Sequence, residues 1–176
     1  MATRDILKTL QTEHDTVREL FERLNATTDR AVKTRASLLL EIKAALLPHA
    51  KWEEQVFYPA FKERADRDGL KTHAEAVQEH KAVETSVMPD VHAADFGTPE
   101  FAGRAKVFGE LIDHHAGEEE KTMFKMARKM FSAQERAALD EAYEEWKASP
   151  AGATAVAAAE METGVKAVAR KVTGRA

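Results

Sequence analysis

Four histidines and two glutamates in this chain are spaced as two copies of one ligand set. Glu13-His14-x-x-Val17 recurs as Glu79-His80-x-x-Val83, and His49-Ala50-x-x-Glu53-Glu54 recurs as His115-Ala116-x-x-Glu119-Glu120, all seven shared positions at one offset of 66 residues. Residues four apart on an α-helix differ by about 40° in azimuth and about 6 Å in height. His49 and Glu53 therefore project the same way from adjacent turns, as do His115 and Glu119. His14 and His80 add one nitrogen each. The step from His14 to His49 is 35 residues, as is that from His80 to His115. On four helices running up and down with short connections, such ligands meet at one level.

The donor set narrows the chemistry. Six protein ligands exceed the four that close a structural zinc site, and the cysteine that usually serves there is absent. Calcium and magnesium prefer oxygen to four imidazoles. Four nitrogens with two carboxylates suit two iron ions, a non-haem di-iron centre, with the carboxylates bridging and an oxide, hydroxide or water completing the core; a mixed iron and manganese pair stays compatible. An open coordination position between apolar walls then binds or activates dioxygen, peroxide or nitric oxide. Any single His-x-x-x-Glu pair is common on helix surfaces, and a lone histidine in an apolar stripe is ordinarily a hydrogen-bonded core residue. Repetition on inward faces carries the metal reading.

The elements that must hold these residues are helical. Alanine, leucine, glutamate and lysine are abundant, with only eight glycines and five prolines in 176 residues, which points to an all-α fold. Ile6, Leu7, Leu10, Val17, Leu20, Phe21 and Leu24 mark a first helix over about residues 3–25, with His14 in its apolar stripe. A second, over about 32–65, carries Leu39, Ile42, Leu46, His49, Glu53, Val56 and Phe57. Pro48 either bends it to aim His49 inward or breaks it. Asp66 to Gly69 reads as the turn at the centre of the repeat. A third helix runs from about residue 71 to Val87, ended or kinked at Met88-Pro89-Asp90. Thr98-Pro99 opens a fourth, extending to about Met130 with Phe101, Val107, Phe108, Leu111, Ile112, His115, Glu119, Met123 and Met126 inward. Ser132 to Glu135 is a capping box that opens a fifth. The expected organisation is a bundle over residues 1–131, an additional helix over 132–149 and an alanine-rich basic tail over 150–176. The tail, with Met161, Val165, Val168 and Val172 as a narrow stripe and Lys166, Arg170, Lys171 and Arg175 as charges, reads as a marginal helix that packs weakly or frays. A partner, membrane or nucleic-acid contact through it is the alternative.

Composition closes other routes. The chain has no cysteine, which excludes disulfides, iron–sulfur clusters and thiol catalysis. No apolar run approaches the ~18 residues of a membrane span, so a cytoplasmic location is expected. A net charge of −4 with both signs interspersed argues against a nucleic-acid-binding body.

The motifs resemble those of the hemerythrin-like, HHE cation-binding family. The resemblance rests on Glu13-His14, on His49-Ala-Lys-Trp-Glu53-Glu54 with Val-Phe-Tyr-Pro after it, on Glu79-His80, and on His114-His115-Ala-Gly-Glu-Glu119 with the later Met-Phe. It covers about residues 3–131. It implies an up-and-down four-helix bundle around a non-haem di-iron centre, held here by His14, His49, Glu53, His80, His115 and Glu119. Oxygen-carrying members have a fifth histidine one turn from another on the third helix. The positions four residues from His80 are Ala76 and Glu84, so the resemblance points away from reversible oxygen carriage and toward oxidative reactivity or sensing in oxidative or nitrosative stress. An enzyme that consumes peroxide or nitric oxide is a second reading, and a metal-free helical interaction module a third. His73 is a boundary residue or a gate, and Glu84 an additional oxygen ligand or none. His114, with Glu118 four residues on, competes with His115. Tyr58 would reach the metals only through a distortion near Pro59, since nine residues from His49 is about half a turn off on a regular helix. Most of Glu13, Glu54, Glu79 and Glu120 are expected to be solvated, since adjacent helical residues point elsewhere. Leu10, Val17, Leu46, Val83, Leu111 and Met123 are expected to wall a dry pocket.

Overall fold

The computed structural model describes residues 4–173, and every regular element among them is helical. α1 is Ile6–Asn25. α2 covers residues 32–64 as Val32–Trp52, a widened turn at Glu53–Phe57, and Tyr58–Arg64. α3 covers residues 67–93, with a widened turn at Val83–Val87. α4 covers residues 99–130, with one at Glu119–Met123. α5 is Ala133–Lys147 and α6 is Pro150–Thr173. The first four pack as a ring in chain order, α1 against α2 and α4, α3 against the same two. This is the up-and-down four-helix bundle. α5 lies on α1, and α6 lies across α2 and the end of α3. Among the described residues no helix is long and apolar enough to cross a membrane.

Short polar caps set the helix starts. Asp5 accepts from Leu7 N at 3.1 Å, Asp66 from Gly69 N at 2.9 Å, and Thr98 from Phe101 N at 3.2 Å ahead of Pro99. Ser132 and Glu135 form the expected capping box. Because Asp66 is a cap, Arg67, Asp68 and Gly69 form the first turn of α3 rather than a loop, and the reversal is confined to Ala65 and Asp66. α3 also runs past Pro89 to Ala93. A proline in a regular helix clashes with the carbonyl four residues back. Here the preceding turn opens to i→i−5 bonding, Met88 N–H to Val83 O, and the same happens before Pro59, with Tyr58 N–H to Glu53 O. The turn at Glu119–Met123 repeats the one at Glu53–Phe57 at the 66-residue offset without any proline. What those two share is a glutamate drawn into the interior.

Two apolar clusters sandwich a polar layer. One contains Val17, Leu20, Phe21, Leu24, Leu38, Leu39, Ile42, Phe101 and Phe108. The other contains Ile6, Leu7, Leu10, Trp52, Phe57, Phe61, Met123 and Phe124. His14 lies between Leu10 and Val17, at the level where neither cluster reaches. Val107 and Leu111 point outward, 51 % and 39 % exposed, because α4 turns the line through Phe101, Ala105, Phe108 and Ile112 to the core. Arg35 is buried at the far end of the bundle, donating to Thr27 Oγ1, Phe96 O and Asp29 Oδ1 at 2.7–3.1 Å, so one guanidinium ties both loops there.

Over its described residues the alanine-rich segment is a helix packed on the bundle. α6 buries Ala159 and Thr163 against α2 and α3, Thr163 Oγ1 resting 3.7 Å from Met88 Sδ. Met161, Val165 and Val168 lie on its exposed face. Arg175 lies outside the described residues, as do the side chains of Arg170, Lys171 and Val172.

Candidate metal centre

Each bundle helix brings one histidine to the polar layer, and α2 and α4 each add a glutamate. His14, His49, Glu53 and Glu119 each offer a ligand atom within 4.8 Å of the others, and so do Glu53, His80 and His115. The two groups share Glu53. Glu119 also spans both, 3.3 Å from His14 Nε2 and 3.7 Å from His115 Nε2. The six side chains proposed from spacing thus converge on two adjacent positions. His114, 64 % exposed, faces Glu79 at 3.5 Å from outside the layer. Glu84 turns to Lys51 at 3.0 Å and joins neither group. His73 sits edge-on to Tyr58 with ring centroids 6.0 Å apart.

The glutamates expected to be solvated instead hold the histidines. Glu13 on α1 accepts from Nδ1 of His49 on α2 at 2.9 Å, and Glu54 on α2 from His80 on α3 at 3.0 Å. Glu79 on α3 accepts from His115 on α4 at 2.7 Å, and Glu120 on α4 from His14 on α1 at 3.0 Å. The four bonds close a ring in which every helix orients the histidine of the next. Adjacent helical residues point about 100° apart, which is the angle needed to leave one's own site and reach the neighbouring helix. All four lie at positions kept by the 66-residue repeat. That signal was visible in the sequence; the direction of reach was not.

The ring fixes the tautomers. A carboxylate only accepts, so each Nδ1 carries the proton and each Nε2 turns a lone pair inward. His14 Nε2 then lies 3.1 Å from His49 Nε2, and His80 Nε2 3.0 Å from His115 Nε2. Lone pairs that close repel unless a cation lies at hand. Glu53 is fully buried, with neither oxygen engaged in a hydrogen bond, and Glu119 Oε2 is in the same state. His49 Nε2 does lie 3.2 Å from Glu53 Oε1, an ion-pair approach without hydrogen-bond alignment. Burying carboxylates in this state costs several kcal/mol each unless a positive charge compensates. The residues therefore fit a pair of cations.

Protonation supplies that charge when metal is absent. Burial by itself would depress His49, but Glu53 and Glu13 outweigh it and raise its pKa to about 10. His115 is raised for the same reason, against burial, by Glu119 and Glu79. Burial pushes Glu119 up, yet His115, His14 and His49 prevail and hold it well below the usual carboxylate range.

Tyr58 joins the second group. Its hydroxyl donates to Glu119 Oε1 at 2.7 Å and lies 3.1 Å from His80 Nε2. The widened turn at Glu53–Phe57 is the distortion that allows this, since it rotates the remainder of the helix by roughly one residue, about 100°, relative to a straight one. The residue equivalent to Tyr58 in the second half is Phe124, which stacks on His14 with ring centroids 5.9 Å apart. Only one of the two positions has a phenol beside it.

On the other side of the imidazoles lies a cavity of about 60 Å³, lined by Val17, Leu46, Val83, Met88 and Ile112 as well as the four histidines. Val17, Leu46 and Val83 are the pocket wall expected. Leu10 and Met123 belong to the opposite apolar cluster, and Leu111 faces outward.

Comparison with known proteins agrees with this arrangement. No match was found among curated proteins. The chain is similar in fold to a solved structure, the Hemerythrin HHE cation binding domain-containing protein of Mycobacterium kansasii, a Rv2633c homolog. The TM-score is 0.66 at 20 % identity, over 92 % of this chain and 88 % of that one. The Hemerythrin HHE cation binding domain matches residues 5–127, the stretch that supplies all six converging side chains and the ring of glutamates around them. With the bundle, the duplicated ligand set and that match in agreement, the chain belongs to the hemerythrin HHE cation-binding family.

Proposed function

We propose that this protein is a non-haem di-iron protein that binds or reacts with dioxygen, peroxide or nitric oxide. The observation that carries the reading is the pair of ligand groups sharing Glu53, set directly against a small apolar cavity. His14 and His49 would hold one ion, His80 and His115 the other, with Glu53 and Glu119 reaching both. Iron there would supply one- or two-electron redox chemistry with an open position for a small ligand. Tyr58 is placed to offer a phenolate oxygen to the His80 side only, which would make the two ions inequivalent. Burial and the carboxylates of Glu119 and Glu53 raise the phenol's pKa, so it would release its proton only where a bound cation stabilises the phenolate. The cavity's volume, about 60 Å³, has room for a diatomic molecule, a peroxide or several waters. Its apolar wall excludes bulk water while the ring of glutamates keeps the imidazoles in place.

Iron reconstitution of the metal-free protein tests this. Two irons per chain are expected, with an oxo-to-iron absorption after air oxidation and a lower-energy band lost in Tyr58→Phe. A stoichiometry well below two, or no such absorption, would sink the proposal. Catalytic consumption of peroxide or nitric oxide is the second reading, favoured because no fifth histidine stands where the phenol approaches. Turnover by the iron-loaded protein no greater than that of His49→Ala would remove it.

A further inference from the structure

The chain contains two tryptophans and two tyrosines, against eight phenylalanines. All four of these readily oxidised residues lie in or beside the layer just described. Tyr58 is within it. Trp52 immediately precedes Glu53 and stacks on Tyr143 of α5, ring centroids 5.2 Å apart at 26°. Trp146 lies 5.9 Å from Trp52 and 6.4 Å from Tyr143, and is half-buried at the molecular edge. The three rings form one cluster, each pair of centroids within 6.4 Å, with Trp146 at its outer edge. Elsewhere in the core, aromatic bulk is supplied by phenylalanine. Trp52 Nε1 is buried without a hydrogen-bond partner, a desolvation cost that a phenylalanine would avoid. Packing alone does not account for the choice of residue.

A proton acceptor is already in place. Tyr143 donates its hydroxyl to Glu13 Oε2 at 2.9 Å, the same oxygen that accepts from His49 Nδ1. Lys147 Nζ lies 4.1 Å over the Tyr143 ring and 3.1 Å from Glu13 Oε1. A cation there opposes a positive hole on the ring, so Tyr143 can lose an electron only together with its proton.

We propose that Trp52, Tyr143 and Trp146 form a relay that carries single electrons between the protein surface and the metal site, which makes α5 a redox element. The inference rests on the reading of that site as an iron centre oxidised by peroxide. Reduction of one hydrogen peroxide to two waters takes two electrons, drawn from a small soluble one-electron reductant such as ascorbate, and two protons from solvent. In each electron delivery Tyr143 sends one electron inward and its phenolic proton to Glu13, leaving a neutral tyrosyl radical. Trp146 then gives one electron to that radical as Glu13 returns the proton. The tryptophanyl cation radical left at the edge takes one electron from the reductant. Trp52 bridges the stack and the chain segment bearing Glu53.

Freeze-quenched electron paramagnetic resonance of the iron-loaded full chain mixed with hydrogen peroxide tests the relay, with ring-deuterated tyrosine identifying the radical. An aromatic radical is expected in the iron-loaded protein and not in the metal-free protein. Tyr143→Phe keeps the stack and loses the tyrosyl signal. Trp146→Phe touches nothing that bonds a histidine; there the tyrosyl signal should outlive that of the parent, and ascorbate should quench it more slowly. Peptide mass spectrometry should find oxidation moving from Trp146 to Met123 in both variants. Peroxide consumption without any aromatic radical, or a Trp146→Phe signal that decays as in the parent, would overturn the relay alone. If the iron-loaded protein leaves peroxide untouched, the relay falls for want of an oxidant, while two irons per chain with the oxo-to-iron absorption would leave the proposed function standing. Should Tyr143→Phe fail to fold, the Trp146→Phe decay decides.

Discussion

The carboxylates that ring the histidines are as necessary to the site as the six side chains facing inward. A glutamate on Nδ1 holds the ring plane and makes Nε2 a better donor. Replacing Glu54 or Glu120 by Gln should lower iron affinity by about 10–100-fold with the fold intact, read by competition with a chelator. An affinity equal to the parent would show that packing alone orients the rings. Protons report on the same residues. His49, raised from 6.5 to about 10, stabilises the metal-free fold fully below about pH 6.5 and loses that contribution as pH rises through about 10. At pH 7 it is therefore charged, and an incoming cation must displace that proton. Loading should release about one proton or more per chain at pH 7, measurable by calorimetry in buffers of different ionisation enthalpy, and the release should shrink toward pH 10.

At the scale of elements, the widened turns do the aiming. The turn at Glu53–Phe57 brings both Glu53 and Tyr58 to the interior, although they are five residues apart. The junction between α5 and α6 is equally demanding. A Cβ on Gly152 would clash with the carbonyl oxygen of Trp146, and a backbone atom cannot swing aside as a side chain can. Gly152→Ala should cost about 1–3 kcal/mol and loosen α5, seen as a lower thermal midpoint and a change in Trp146 fluorescence. At the opposite end, Arg35→Ala strips donors from Phe96 O and Thr27 Oγ1. It should destabilise by about 2–3 kcal/mol while leaving iron content unchanged, because those loops lie beyond the apolar cluster that separates them from the site.

Across the whole molecule, the polar layer is retained between two hydrocarbon clusters at an energetic cost that a proton or a bound cation must offset. α6 packs on Met88, which lines the cavity. A chain ending before Pro150 should keep the bundle yet lose iron to a chelator faster than the parent does. Equal rates would assign α6 no part in sealing the cavity.

Helix content, the duplication and the identity of six inward residues were legible because they depend on composition and on a period of 3.6, both of which a linear string carries. The 66-residue offset even marked Glu13, Glu54, Glu79 and Glu120, although their adjacency to the ligands argued for solvent when each helix was considered alone. Tyr58 was expected to come inward only through a distortion near Pro59, and the widened turn before that proline is such a distortion, after which azimuth no longer obeys the regular period. Which helix stands beside which, and at what rotation, is set by side chains from distant segments meeting in the core. The ring of glutamates, the phenol beside one position, the Trp52–Tyr143–Trp146 stack and the docking of α6 are all contacts across helices, and only the packed structure decides them.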